Sequence, residues 1–184
     1  MARTESKMLA LGTKAPSFRL PDTEGKWVSF DEYTNQPGYL VIFMCNHCPY
    51  VVHIADVLSQ VTREYSQKGI AVFGISSNDI QNYPDDSPEK MAIEKKKRAY
   101  AFPYLFDETQ KVARAYDAAC TPDFYLFDKN KSLVYRGQFD NSRPGNSVPV
   151  TGTDLKSALD ALLSNSPISP NQKPSLGCNI KWKS

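Results

Sequence analysis

The sequence predicts an α/β fold in which a central mixed β-sheet is flanked by helices, and three observations predict it. Strand-type apolar runs alternate with helix-type segments in the order GYLVIFMC (38–45), YVVHIADVLSQVTREYSQKG, IAVFGISS (70–77) and SPEKMAIEKKKRAY, which is βαβα. GYLVIFM and IAVFGI are almost wholly apolar, as suits parallel strands covered on both faces. Two later runs, FYLFD (124–128) and SLVYRGQF (132–139), are joined by the turn-prone KNK and read as a hairpin that adds antiparallel strands.

The other elements follow in order. APSFRLPDTEGKWVSFDEY carries a turn signal at Asp22 to Gly25 between two short alternating runs, which predicts an amino-terminal hairpin. The basic run Lys95 to Arg98 reads as the solvated face of a helix. A short FPYLF run, a helix over DETQKVARAYDA and a last helix over GTDLKSALDALLSN complete the layout. From about Ser164 the chain turns rich in Pro and Ser and loses its period, so an extended carboxy-terminal tail is expected. Leu176, Ile180 and Trp182 interrupt that tail. Each is worth ~1.5–3 kcal/mol when buried, so the tail should dock on the surface rather than dangle. We expect one domain over 1–184, with a core of about 11–165 and the tail over 166–184.

A chain of 184 residues that is 41% hydrophobic can bury one full-sized core. Lys and Arg number 22 against 20 Asp and Glu, so no basic field for a nucleic-acid partner is implied. The stretch MARTESKMLALG holds no signal-peptide apolar region and no run approaches ~18 apolar residues, so we expect no membrane association and a cytoplasmic location. Four cysteines are too few for a disulfide-stapled secreted scaffold.

The stretch FMCNHCPYVVH (43–53) holds two of those cysteines, Cys45 and Cys48, and both histidines, at the point where an apolar strand gives way to a helix. Side chains at i and i+3 of a helical turn lie roughly 5–6 Å apart at Cβ, close to disulfide reach. Asn46 is the expected N-cap, with Pro49 in the first turn. A helix N-terminus stabilises a thiolate, lowering its pKa from ~8.5. His47, when protonated, adds positive charge that favours the reduced form. A zinc site using Cys45, Cys48 and His47 or His53 is a competing reading, as are two buried thiols; zinc usually takes a second distant Cys/His pair, whereas Cys120 and Cys178 stand alone. His53 reads as a helix-face histidine. No metal and no cofactor are expected.

With Cys45-Asn46-His47-Cys48 and the βαβα order in view, the chain resembles the thioredoxin superfamily, and closely its peroxiredoxin-like, AhpC/TSA-related branch bearing a CxxC motif. The likeness runs from about Leu11 onward through LGTKAPSFRLPDTEGKWVSFDEY, CNHCPYV, NDIQNYPDDSPEKM, FPYLFDETQKVARAYDAACTPDFYLFD, YRGQFDNSRPGN and GCNIKWK. It implies a thioredoxin-like fold and a thiol-disulfide oxidoreductase, with Cys45 attacking a partner disulfide and Cys48 resolving. It also implies a cis proline at Thr121-Pro122, as a substrate-docking segment facing the cysteines; a trans proline opening a strand is the plainer alternative.

The peroxiredoxin side of the likeness implies a second enzyme, a thiol peroxidase with Cys48 peroxidatic. There Cys48-Pro49 matches the peroxidatic position, but Cys45 stands where a threonine is expected, and Arg136 and Arg143 follow the strand that an activating arginine would precede. A non-enzymatic redox-sensing module is a weaker third reading. The expected partners are a protein or small-molecule disulfide, or a peroxide, together with a cellular thiol reductant. His47, Cys120 and Cys178 are auxiliary candidates. Cys120 should lie near the redox centre through Pro122, and Cys178 either covers the core or enters a thiol relay.

Overall fold

The computed structural model describes residues 3–184, so Met1 and Ala2 of the amino-terminal stretch read above lie outside them. A short strand β1 (Arg3–Glu5) precedes the predicted hairpin of β2 (Arg19–Pro21) and β3 (Trp27–Ser29). The Asp22 carboxylate closes its turn by accepting the N–H groups of Glu24 and Lys26, each at 2.9 Å. The chain continues through β4 (Gly38–Phe43), α1 (Pro49–Gln67), β5 (Ala71–Ser76), α2 (Pro88–Arg98) and β6 (Tyr104–Phe106). After α3 (Lys111–Ala115) come β7 (Cys120–Thr121), β8 (Asp123–Asp128), β9 (Leu133–Gly137), α4 (Thr153–Leu163) and β10 (Leu176–Asn179).

The almost wholly apolar runs become β4 and β5, buried at every residue and paired in parallel from Tyr39↔Ala71 to Phe43↔Ile75. β6 extends the parallel side, while β8 and β9 add antiparallel strands, giving the order β6-β5-β4-β8-β9. This is the expected central mixed sheet. Successive side chains of a strand point to opposite faces. Leu40, Ile42, Phe124 and Leu126 therefore share one core with Leu58, Met91 and Leu159 of the helices α1, α2 and α4. Tyr39, Val41, Phe43, Tyr125 and Phe127 meet Phe18, Phe30 and Tyr116 on the other face. The basic run closes α2, where Lys and Arg complement the helix C-terminus.

Two segments depart from expectation. The helix read over DETQKVARAYDA shrinks to Lys111–Ala115, because its first residues turn inward. Asp107 accepts from Ser77 Oγ at 2.9 Å and from the Ala113 N–H at 3.0 Å. Gln110, at φ 60°, donates its side-chain amide to the carbonyls of Ser77 and Lys181. The carboxy-terminal tail, expected to lie on the surface, contributes instead the middle strand of a second, antiparallel sheet of order β1-β10-β7. Gly177, Cys178 and Ile180 are buried there. Trp182 is 38% exposed beneath the Arg114 guanidinium, so Ile180 rather than Trp182 covers core. A Cβ on Gly177 would overlap the Thr121 carbonyl oxygen; only glycine lets β10 approach β7 this closely.

Candidate active site at Cys45 and Cys48

Strand β4 delivers Cys45 to the edge of the core, and four residues later the chain enters α1 at Pro49. The helix starts later than expected: Cys48, with φ −70° and ψ 121°, is the N-cap, and Pro49 is the first helical residue. The Cys48 carbonyl accepts from the N–H groups of Val51 and Val52, both at 3.0 Å. Asn46, expected as the cap, is committed across the loop. Its N–H donates to Asp86 Oδ1 at 2.8 Å, its amide donates to the Asp85 carbonyl, and Tyr104 Oη donates to its side-chain oxygen at 2.9 Å. The proline ring cannot sit comfortably after a helical residue, which leaves Cys48 as the last extended position.

Three sulfurs and one threonine meet here. Cys45 Sγ lies 3.4 Å from Thr121 Oγ1, Cys48 Sγ lies 3.2 Å from the Thr121 carbonyl oxygen, and Cys48 Sγ lies 2.7 Å from Cys178 Sγ. Thr121-Pro122 is a cis peptide bond. The strand register places Cys178 opposite Thr121, so β10 carries its thiol to the same point. Cys120, one residue along β7, projects the other way by strand alternation, and its thiol contacts the Pro122 carbonyl at 3.8 Å. It adjoins the centre without touching the Cys45 and Cys48 sulfurs in any hydrogen bond.

The four thiols are free and buried, yet they do not titrate alike. Cys48 is held far below the ordinary thiol range, chiefly by its hydrogen bond with the Cys178 thiol and then by that with Cys45. The Val51 N–H and the Thr121 hydroxyl add to this, while burial opposes it. Cys45 is held well above its ordinary value, first by its hydrogen bond to Cys48 and then by burial and the charges of Asp86 and Cys48. Cys178 is raised by its own bond to Cys48, and Cys120 chiefly by burial. Within this cluster a negative charge is thus favoured at Cys48 over its three neighbours. Both motif sulfurs are buried, Cys45 at 2% exposure and Cys48 at 0%.

His47 faces this charge from the loop. Its Nδ1 lies 2.6 Å from Asp86 Oδ2, its ring stacks on Tyr83 at 5.8 Å, and its pKa is raised, mainly by the Asp86 hydrogen bond. Asp86 is fully buried and also accepts from Asn78 Nδ2 at 2.8 Å. The donor atoms of Cys45, His47 and Asp86 lie within 4.8 Å of one another, which is where a metal ion would find ligands. His53 is not among them; it lines a narrow hollow with Tyr50, Pro122 and Arg143. Arg136 donates to the Leu9 carbonyl and Gln172, and Arg143 to Gln138 and the carbonyls of Asp140 and Ser142. Neither contacts a sulfur in these bonds.

Sequence reading missed Asp86 and Lys181. PDDSPEK reads as acids ahead of a helix, which describes the exposed Asp85; nothing in the pattern marks the next residue as the one turned inward. Lys181 is buried beside Asn179 and Tyr83 and lowers the His47 pKa against the larger pull of Asp86.

The sequence profile of the AhpC/TSA family matches residues 11–136. A crystal structure of an uncharacterized conserved protein from Geobacillus kaustophilus is 49% identical, with a TM-score of 0.97 over 100% of this chain and 97% of that one. Chloroplastic peroxiredoxin Q of Gentiana triflora is 28% identical over 158 residues, spanning 80% of this chain and 67% of that protein. The thiol-disulfide oxidoreductase ResA of Geobacillus thermodenitrificans (strain NG80-2) is 25% identical over 127 residues, 69% of this chain and 68% of that protein. The thioredoxin domain of a thiol-disulfide oxidoreductase from Bacteroides vulgatus superposes with a TM-score of 0.62 over 82% of this chain and 99% of that one, at 18% identity. The fold is thioredoxin-like.

Proposed function

The chain belongs to the AhpC/TSA family, and on that premise we propose that it is a thiol-disulfide oxidoreductase in which Cys45 and Cys48 cycle between dithiol and disulfide. The observation that carries this is the convergence of both sulfurs on Thr121, at 3.4 and 3.2 Å. The Cys48 thiolate attacks one sulfur of a partner disulfide and expels the other as a thiolate, leaving a mixed disulfide on Cys48. Cys45 then gives up its proton and attacks Cys48 Sγ, and the second partner thiol leaves. A cellular thiol reductant restores the dithiol. This order differs from the one expected by position in the motif, and the downward shift of Cys48 from its hydrogen bonds with Cys178 and Cys45 supports it. Thr121, in contact with both sulfurs, and Pro122 after it are the segment assigned to hold the substrate backbone.

A second reading takes peroxide as substrate, with the Cys48 thiolate attacking an oxygen to give a sulfenic acid and water, and Cys45 condensing with it to the same disulfide. The thiolate at Cys48-Pro49 favours it. The commitment of Arg136 and Arg143 to loop acceptors, and the thiol of Cys45 where a hydroxyl would orient peroxide, speak against it. A reducing cytoplasmic setting is part of the proposal. Among the described residues no helix is long and apolar enough to cross a membrane.

Initial rates with hydrogen peroxide and with a protein disulfide, measured on wild type, Cys45→Ser and Cys48→Ser, test the assignment. The protein disulfide should turn over faster, and Cys48→Ser should lose at least about a hundredfold with it. A Cys48→Ser protein at wild-type rate overturns the proposal; a wild type that reduces only peroxide hands the function to the second reading.

A further inference from the structure

We propose that Cys178 is a third redox thiol of the centre, resolving Cys48 through a Cys48–Cys178 disulfide, so that oxidation can move from the CxxC motif to the carboxy-terminal strand. This rests on the exchange reading above. Cys48 Sγ makes a hydrogen-bonded contact of 2.7 Å to Cys178, a cysteine outside its motif. That is about 0.7 Å beyond a disulfide bond of ~2.05 Å.

The approach is built into the backbone. β10 is hydrogen-bonded on both edges, to β1 and to β7, and Cys178 lies in register with Thr121, the residue both motif sulfurs contact. Gly177 removes the side chain that would hold β10 away from the Thr121 carbonyl. A cysteine that merely filled space would not need this close docking. Cys120 supplies the contrast: also buried, on the neighbouring strand, it turns its thiol to the Pro122 carbonyl.

The chemistry balances in two ways. From the mixed disulfide, Cys178 loses its proton and attacks Cys48 Sγ; the Cys48–Cys178 bond forms, and the partner leaves as the thiol that takes up the proton. From the oxidised motif, the same attack breaks the Cys45–Cys48 bond, Cys45 takes the proton, and no electrons are gained or lost. Two thiols therefore compete for one sulfur, and the oxidised protein partitions between two disulfides.

The experiment adds one equivalent of dithiodipyridine to reduced wild type, Cys45→Ser, Cys178→Ser and the Cys45→Ser/Cys178→Ser double variant. It follows thiopyridone release and then maps disulfides after acid quenching and alkylation. Cys45→Ser should release two thiopyridones per reagent molecule and yield a peptide pair joined through Cys48 and Cys178. The double variant should release one and keep the mixed disulfide on Cys48. Release of only one by Cys45→Ser, with its mixed disulfide intact, overturns the role of Cys178 while leaving the exchange reading standing. No release by Cys48-containing proteins overturns both. Wild type provides a check free of folding artefacts: acid-trapped samples should contain both Cys45–Cys48 and Cys48–Cys178 linkages, and a map with the first alone, at every degree of oxidation, removes the proposal.

Discussion

Asp123 follows the Thr121-Pro122 segment into the interior of the central sheet, paired with Phe43. It is fully buried and accepts a hydrogen bond from Tyr125 Oη at 2.9 Å. Burial raises its carboxyl from the ordinary 3.8 to about 7, with smaller opposing contributions from Tyr125, Ser6 and the Phe124 N–H. A carboxyl raised in the folded state adds stability that is fully present below its unfolded value and is lost as pH rises through the folded value. A shift of ~3 units at 1.36 kcal/mol each is worth about 4 kcal/mol, taken away between about pH 4 and pH 7. Asp123→Asn keeps an acceptor for Tyr125 and removes the ionisation. Urea unfolding at about pH 5 and pH 8 measures the outcome. The variant should gain on wild type as pH rises, by up to about 4 kcal/mol, and the gap should close below about pH 4. A wild-type-to-variant difference that stays constant across this range would refute the reasoning, because it would mean that Asp123 titrates alike in folded and unfolded chains.

Removing the Cys178 thiol takes away the largest influence lowering Cys48, so ultraviolet titration of thiolate absorbance should show the motif ionising at higher pH in Cys178→Ala; an unchanged curve would leave the Cys178 hydrogen bond without effect. Asp86→Asn strips His47, Asn46 and Asn78 of a shared anchor. Breaking such a buried network should cost about 3 kcal/mol in denaturant unfolding, and the His47 resonance should titrate at lower pH by NMR. In the intact protein the stabilisation from His47–Asp86 is fully present below the ordinary histidine value of 6.5 and fades as pH rises through the raised one. Gly177→Ala forces β10 off the Thr121 carbonyl, so amide exchange should quicken in Arg3–Glu5 and Leu176–Asn179 before it does in β4; uniform protection would show that the strand absorbs a methyl without moving.

Legibility in the sequence tracked the range of the interaction involved. β4 and β5 were readable because burial on both faces leaves an apolar run that local pattern records directly, and the Asp22–Gly25 turn because its closing bonds lie within four residues. The pairing of Cys45 and Cys48 at a strand-to-helix junction was visible for the same reason. The start of α1 was misplaced by two residues because Asn46, a good cap by type, finds long-range partners in Asp85, Asp86 and Tyr104. DETQ lost its helix to contacts with Ser77 and Lys181. The downward shift of Cys48 depends chiefly on Cys178, distant in sequence and reached only through the register of β10.

That register also orders events during synthesis. β1 emerges from the ribosome first and β10 near the end of the described chain, yet each is the other's neighbour, with Arg3 opposite Cys178. A pairing that spans nearly the whole length is slow to close, and the strand that completes the sulfur cluster is absent while the central sheet is being made. Until then the nascent domain carries a motif whose Cys48 lacks the partner that lowers its pKa most. The same dependence makes the mature centre sensitive at its far end: proteolytic clipping between Leu163 and Leu176 would spare the five-stranded sheet and loosen the strand that brings Cys178 to Cys48.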